Sequence, residues 1–150
     1  PTEVVAGVWV TGTIPRRYPL EDTGGLFWRS PNHTDIDPMV DDQALFMETP
    51  QGFVVILGCA HAGAINTLDY IAEITGAERF YGVFGGMHLL QASTNRINAT
   101  LEGLKRYEVQ RIGANHCTGM KAMGQLWHQF GDRCVDCRTG TRLAIGRPAG

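Results

Sequence analysis

The sequence FVVILGCAH, residues 53–61, decides the fold, because a run of five apolar residues leads there directly into Gly-x-x-His. A similar run enters the same pattern in FYGVFGGMH, residues 80–88, and the pattern recurs in RIGANH, residues 111–116. The closing histidines are spaced by 27 and 28 residues, which matches one strand, one helix and two turns. Parallel strands joined by such crossovers end at one sheet edge, where open α/β sheets bind ligands. The sequence therefore predicts that three histidines share this edge: His61, His88 and His116.

Periodic apolar residues predict a helix after each of these histidines. The first helix covers about 65–75, with Gly76 placed to end it. The second begins at Ser93 or Thr94, both of which suit a helix N-cap. The third covers about 119–130, and one of its sides carries the apolar residues Ala122, Met123, Leu126, Trp127 and Phe130.

Strands are expected on either side of this helical region. Residues 43–48 and 53–57 flank a turn that contains Pro and Gly, which predicts an antiparallel hairpin. Before it, residues 11–40 form a loop-rich segment with a strand-like interruption at 26–28, and loops of that length tend to be lids or binding elements. Three further short strands are predicted, at residues 4–10, 133–136 and 141–145.

Composition limits the classes of function. The 150 residues suit a single domain, and 43% hydrophobic with 19% charged residues is typical of a globular protein. A net charge of -2 without a dense Lys/Arg stripe argues against nucleic acid as a partner. No apolar run approaches the about 20 residues that span a bilayer, so we expect no membrane segment and a cytoplasmic location. The four cysteines do not form a dense disulfide framework and are expected to be reduced.

Three imidazoles at one edge indicate a metal site. Histidine is the commonest metal ligand, and its neutral ring suits zinc, iron, copper and nickel. A catalytic zinc takes three protein ligands and keeps one position open for a water whose pKa it lowers to near neutrality. We therefore expect His61 and His116 to lie within reach of a shared metal, with His88 nearby.

Four motifs carry a resemblance to a known family. They are GCAHAGAINT at residues 58–67, GGMHL at 85–89, NHCTG at 115–119 and DDQAL at 41–45. In this order and spacing the chain, over roughly residues 5–146, resembles the metallo-β-lactamase-fold hydrolases. The branch it is most similar to is the one that resembles dihydropterin ribofuranosyl-aminobenzene phosphate synthase.

The resemblance implies an α/β fold, an αββα sandwich with a metal site, usually binuclear zinc with manganese or iron as alternatives. His61 matches the family's third metal motif and His116 its fifth, whereas His88 stands where the fourth usually offers a bridging Asp. The family's His-x-His-x-Asp-His string is absent from this sequence, and HTDID at residues 33–37 is expected to be a solvated loop. Residues 1–150 therefore resemble the C-terminal half of one such domain.

The expected function is that of a metal-dependent hydrolase or transferase, acting through a metal-activated water on an anionic or pterin-like small molecule. Because several ligands and a carboxylate base belong to the other half, we expect the isolated chain to bind metal weakly and turn over poorly. Either another chain supplies that half or the chain self-associates. One alternative is an incomplete, non-catalytic metal-binding half-domain, and a second is a thiol-dependent enzyme.

Four residues are candidates for binding substrate or for other chemistry. Arg16 and Arg17 present guanidinium groups suited to phosphate or carboxylate, and Asp42 offers a carboxylate beside the metal motifs. Cys117 follows His116 and precedes a predicted helix, an arrangement that lowers a thiol pKa and would favour nucleophilic chemistry.

Overall fold

A computed structural model describes residues 1–23 and 25–146. Six strands form one sheet in the order β1-β2-β5-β6-β7-β8, and β3 pairs with β4 in a separate two-stranded sheet. The strands are β1 Thr2–Val5, β2 Val8–Val10, β3 Phe27–Trp28, β4 Ile36–Asp37, β5 Ala44–Thr49, β6 Gly52–Leu57, β7 Phe80–Gly86 and β8 Arg111–Asn115. The helices are α1 Ala64–Thr75, α2 Thr94–Arg106 and α3 Met120–Phe130.

The main sheet is antiparallel on one side and parallel on the other. The β5–β6 hairpin pairs antiparallel from Ala44 opposite Leu57 to Thr49 opposite Gly52, which confirms the predicted hairpin. The pairs β6–β7 and β7–β8 are parallel, because α1 and α2 carry the chain back between them. The three apolar runs singled out in the sequence thus become neighbouring strands that point the same way.

The helix boundaries follow local chemistry. Gly76 ends α1 with φ of 74°, a left-handed conformation that glycine adopts without steric cost. Ser93 begins α2, and its side chain accepts a hydrogen bond from the Arg96 backbone N–H at 3.2 Å. Both predicted boundaries are confirmed, and α3 begins one residue after Gly119.

The core lies between the helices and one face of the sheet. Val55 of β6, Val83 of β7 and Ile112 of β8 alternate toward this face, where they pack with buried residues of all three helices. Two residues predicted there behave differently: Met123 is only partly buried, and Trp127 is 44% exposed. Fewer of the apolar side chains of α3 therefore pack against the core than the sequence predicted.

Three strand predictions were wrong. Residues 4–10 form two strands, because the chain turns at Gly7, with φ of 79°, and returns antiparallel. The predicted terminal strands at 133–136 and 141–145 are absent from the described residues, apart from a single bridge between Cys134 and Ile112. Alternation in short segments beside an edge strand does not fix pairing, because few backbone hydrogen bonds hold them there.

No helix in the described part of the chain combines the length and apolarity needed to cross a bilayer.

Candidate metal centre

The loops that follow β6, β7 and β8 are joined at one edge of the sheet. The Gly86 N–H donates to the Gly58 carbonyl at 2.9 Å, which ties the end of β7 to the loop after β6. The Met87 N–H donates to the Thr118 hydroxyl at 3.2 Å, and the Leu89 N–H donates to the Cys117 carbonyl at 3.1 Å. The three Gly-x-x-His loops therefore form one rigid hydrogen-bonded unit.

Each of these loops holds one residue other than glycine in a left-handed conformation. The φ angles are 57° at Ala60, 48° at His88 and 50° at His116. A side chain disfavours this region, and such strain persists only where the surrounding contacts impose it, as they do in functional sites. Sequence patterns did not reveal this feature, because nothing in the residue types marks a positive φ.

His61 and His88 lie directly against each other. Their ring centroids are 4.5 Å apart with planes at 78°, and Nδ1 of His88 is buried without a hydrogen-bond partner. Burial lowers the pKa of His88 below its usual 6.5, and the neighbouring His61 lowers it further by charge repulsion. His88 is therefore held as the neutral imidazole, which is the form that binds metals.

His116 faces two thiols. Its Nε2 lies 3.0 Å from Sγ of Cys59, and the donor atoms of Cys59, His116 and Cys117 all lie within 4.8 Å of one another. Among the described residues, these three form the only group of three or more potential metal ligands. The group includes neither His61 nor His88. Joint ligation of one metal by His61 and His116 stays a prediction.

Cys59 was missed by the sequence analysis. It stands two residues before His61 in the same motif, but its side chain contacts the loop after β8, 57 residues along the chain. Only the pairing of β6 and β8 with β7 between them reveals this contact. The only local signal was a cysteine near a candidate ligand. Such an arrangement is too common to identify a site residue by itself.

The predicted anion-binding residues contact the protein itself. Arg16 donates to the carbonyls of His61 at 2.9 Å and Met39 at 3.0 Å, and Arg17 pairs with Glu73 at 2.7 Å. These contacts hold the loop-rich segment against the loop of His61.

The carboxylate of Asp42 also contacts the loop of His61. It accepts a hydrogen bond at 2.8 Å from the backbone N–H of Ala62. In the described structure Asp42, like Arg16, thus positions the metal-motif loop.

The environment of Cys117 does not favour a reactive thiolate. Burial raises the pKa of its thiol above the usual value, and its Sγ donates to the Cys59 carbonyl at 3.4 Å. It lies in a short 3-10 turn, His116–Thr118, so the dipole of α3 begins only after Gly119. This opposes the expectation that Cys117 is a low-pKa nucleophile.

Glu21 is a further residue that sequence reasoning missed. Its carboxylate is 6% exposed and accepts hydrogen bonds from the backbone N–H groups of Ile65, at 2.8 Å, and Asn66, at 2.7 Å. Burial raises the pKa of Glu21, and these two hydrogen bonds partly offset the effect. The segment before β3 is thereby attached to the start of α1, directly after the loop of His61.

The donors at this edge suit the metal that the resemblance implies. Imidazoles and thiols are the ligands that zinc and related borderline metals prefer, and Nδ1 of His88 is buried and unpartnered. Carboxylates, which calcium and magnesium require, are absent from the described three-donor group. The residues therefore fit a transition metal of the zinc type.

Comparisons with known proteins agree with this fold. No family model matches the sequence. The chain is 29% identical over 134 residues to the 7,8-dihydropterin-6-methyl-4-(β-D-ribofuranosyl)-aminobenzene-5′-phosphate synthase of Methanocaldococcus jannaschii, covering 87% of this chain and 46% of that protein. It is 29% identical over 126 residues to an uncharacterized protein of the same organism, covering 84% and 46%.

A solved structure supports the same assignment. The crystal structure of a metal-dependent hydrolase of the β-lactamase superfamily superposes with a TM-score of 0.79 and 30% identity, over 97% of this chain and 56% of that one. The chain therefore has a mixed α/β fold that matches a structure of the metallo-β-lactamase superfamily, as predicted. Within that class, its similarity to the dihydropterin-related synthase is confirmed. The chain spans about half the length of the relatives it matches.

Proposed function

We propose that this chain is the C-terminal part of a metal-dependent hydrolase or transferase of the metallo-β-lactamase superfamily that works in the cytoplasm. The observation that carries the proposal is the meeting of three His-bearing loops at one sheet edge, with His61 against His88 and His116 against Cys59. Strained backbone in each of these loops supports a functional edge.

The chain's own residues prepare this edge for a metal. His61, His88 and His116 would hold it, with zinc as the preferred ion and manganese or iron as alternatives. A metal bound there supplies Lewis acidity and activates a water for attack. Arg16 and Asp42 fix the peptide group that follows His61, Arg16 at the His61 carbonyl and Asp42 at the Ala62 N–H. Fixed ligands lower the reorganisation that a reaction requires.

The proposed substrate is an anionic or pterin-like small molecule. This proposal draws on the name of the Methanocaldococcus relative, whose product combines a dihydropterin with a ribose phosphate. In the described structure the guanidinium groups of Arg16 and Arg17 contact protein partners. A phosphate would therefore be recognised by Arg17 only if it displaced the exposed ion pair with Glu73, which is weak enough to exchange.

Catalysis by this chain is proposed to need ligands beyond its 150 residues. The sequence holds no His-x-His-x-Asp-His string, and that string would supply further ligands and a carboxylate base. A second polypeptide, an extension of this one or a second copy would have to complete the site. A metal-binding half-domain without turnover is the alternative, and it shares all the geometry described above.

The test compares this chain with a form extended by the part of the Methanocaldococcus synthase that lies outside its match to this chain, which covers 46% of that protein. Both are assayed with zinc or manganese on ester, phosphoester and lactam substrates. We expect the extended form to turn over and to lose activity in His61→Ala, while this chain alone stays near background. His128→Ala, an exposed histidine on α3, is the matched control and should retain activity.

Three outcomes would contradict the proposal. An extended form that binds zinc and turns over none of the substrates would favour the non-catalytic half-domain. Activity that survives His61→Ala would place the chemistry elsewhere. Turnover by this chain alone that disappears in His61→Ala and His116→Ala would show that the additional half is dispensable.

A further inference from the structure

We infer that Cys59, His116 and Cys117 form a thiolate-rich metal site that this chain supplies by itself. Its three donors are two sulfurs and one imidazole nitrogen, and zinc is the ion they suit best. The inference rests on and deepens the proposed function, because it adds two thiol donors beside His116, one of the three histidines proposed there to hold metal. The expectation of weak metal binding considered histidines as the only ligands. With two thiolates added, this inference replaces that expectation.

The geometry of the three donors supports coordination. Sγ of Cys59 lies 3.0 Å from Nε2 of His116, and every pair of donor atoms in the group lies within 4.8 Å. Zinc bonds of about 2.0 to 2.3 Å separate ligands of one ion by roughly 3 to 4 Å. Side-chain rotations within the existing loops therefore suffice to bring the donors onto one ion.

The backbone beneath the site leaves room for the three donor side chains to approach one another. β6 and β8 are separated by β7, so their loops meet only by crossing the end of β7. A Cβ added at Gly86 would lie 2.7 Å from Sγ of Cys117 and 3.1 Å from Cδ2 of His116. The glycine thus leaves the space that the two ligands occupy, and the positive φ of His116 directs its ring toward Cys59.

The donor set predicts which metals bind. Two thiolates with an imidazole are soft ligands that select zinc, cadmium and cobalt over magnesium, calcium and manganese. Three protein ligands also leave a fourth position open, as in catalytic zinc sites. His116 is exposed and borders a cleft shared with Asn115, Cys137, Arg138 and Thr139, so a fourth ligand reaches the ion from solvent.

Cobalt(II) titration of the reduced chain tests the ligands directly. We expect a sulfur-to-cobalt charge-transfer band in the wild-type chain and its loss in the double variant Cys59→Ser with Cys117→Ser. Each single substitution should weaken zinc binding at least about tenfold, since loss of a supporting contact alone costs 10- to 100-fold. Cys134→Ala is the matched control, because Cys134 is free, outside the group and not part of the cleft beside His116, and it should retain the band.

Alkylation of the wild-type chain provides a test that needs no variant. We expect stoichiometric zinc to protect Cys59 and Cys117 from iodoacetamide and to leave Cys137 reactive, as read by peptide mass mapping. Absence of a charge-transfer band in the wild-type chain, a band that survives the double variant, or equal labelling with and without zinc would overturn the inference. These readouts report ligation, so a failure of the hydrolase assay with thiolate ligation intact would count against the proposed function alone.

Discussion

At the scale of single residues, a buried carboxylate beside a helix start is the most consequential polar group outside the metal edge. Glu21 faces the N-terminus of α1, where unsatisfied N–H groups and the helix dipole favour a negative charge. Gly63 makes room for it, since a Cβ there would lie 2.1 Å from the Glu21 carboxylate. The desolvation of this carboxylate nevertheless outweighs its hydrogen bonds, and its pKa is raised from 4.5.

Glu21 is expected to make stability depend on pH. Because the pKa of Glu21 is higher in the folded chain than in the unfolded chain, folding takes up a proton in this range. The contribution to the free energy of unfolding is therefore fully present below pH 4.5 and decreases as pH rises through the raised pKa. The side chain in Glu21→Gln does not titrate, so we expect the free energy of unfolding of this variant to lack this decrease. Urea unfolding measured over a pH series provides the test.

Glu73→Gln is the control for Glu21→Gln. Glu73 lies in α1, the helix whose N-terminus Glu21 contacts, but its side chain is 52% exposed. Its substitution should therefore leave the decrease of stability with rising pH in place. A wild-type chain and a Glu21→Gln variant whose stabilities differ by the same amount at every pH would contradict the assignment.

At the scale of elements, two glycines in the helices show that the effect of glycine on stability depends on its position. Gly76 ends α1 in the left-handed region, whereas Gly124 lies inside α3. An added Cβ meets nothing within 4 Å at either position, so packing does not distinguish the two. Backbone conformation alone sets the difference.

Alanine is therefore expected to have opposite effects at these two glycines. Gly76→Ala should lower the free energy of unfolding by about 1 kcal/mol, because Ala resists positive φ. Gly124→Ala should raise it by about 0.5 to 1 kcal/mol, because Ala favours the helix. Chemical denaturation of both variants checks the pair, and a change of the same sign in both would contradict this account.

The start of α2 is expected to depend on one hydroxyl. Ser93→Ala removes the acceptor for the Arg96 N–H and should cost about 1 kcal/mol. Ser93→Asn should restore most of the stability, because Asn is an equally good N-cap. Thermal or urea unfolding of both variants provides the measurement, and equal losses in the two would show that the cap hydrogen bond contributes little.

At the scale of the whole molecule, the described helices pack on one face of the sheet. The other face of β2, β5 and β6 carries cross-strand apolar pairs, in which Val8 opposes Met47 and Leu45 opposes Ile56. All four side chains are only partly buried. In a complete sandwich such a face is covered by a second sheet, so here it offers apolar surface for association.

The chain is therefore expected to self-associate through this face. We expect sedimentation velocity to show concentration-dependent association of the wild-type chain, and Met47→Glu to reduce it by placing a charge in the contact. Gln129→Glu adds the same charge on exposed α3 and should leave association unchanged. A wild-type chain that sediments as a monomer throughout, or equal effects of both substitutions, would rule out this face as the contact.

The residue pattern was enough to predict the parallel β6–β7–β8 arrangement, the helices between its strands and the edge where the loops meet. These features follow from apolar periodicity, caps and turns, which are local and act within about one helix or strand. The resemblance to metallo-β-lactamase-fold proteins was also readable, because motifs such as GCAHAG and NHCTG keep their order and spacing.

Which side chains contact one another depends on the folded chain and could not be predicted from local patterns. Cys59 contacts His116 across 57 residues, and Glu21 reaches α1 across 44 residues. Positive φ at His88 and His116 is likewise imposed by neighbouring loops rather than by residue type. The predicted terminal strands failed for the same reason, since pairing beside an edge strand is set by available partners and not by alternation in the segment itself.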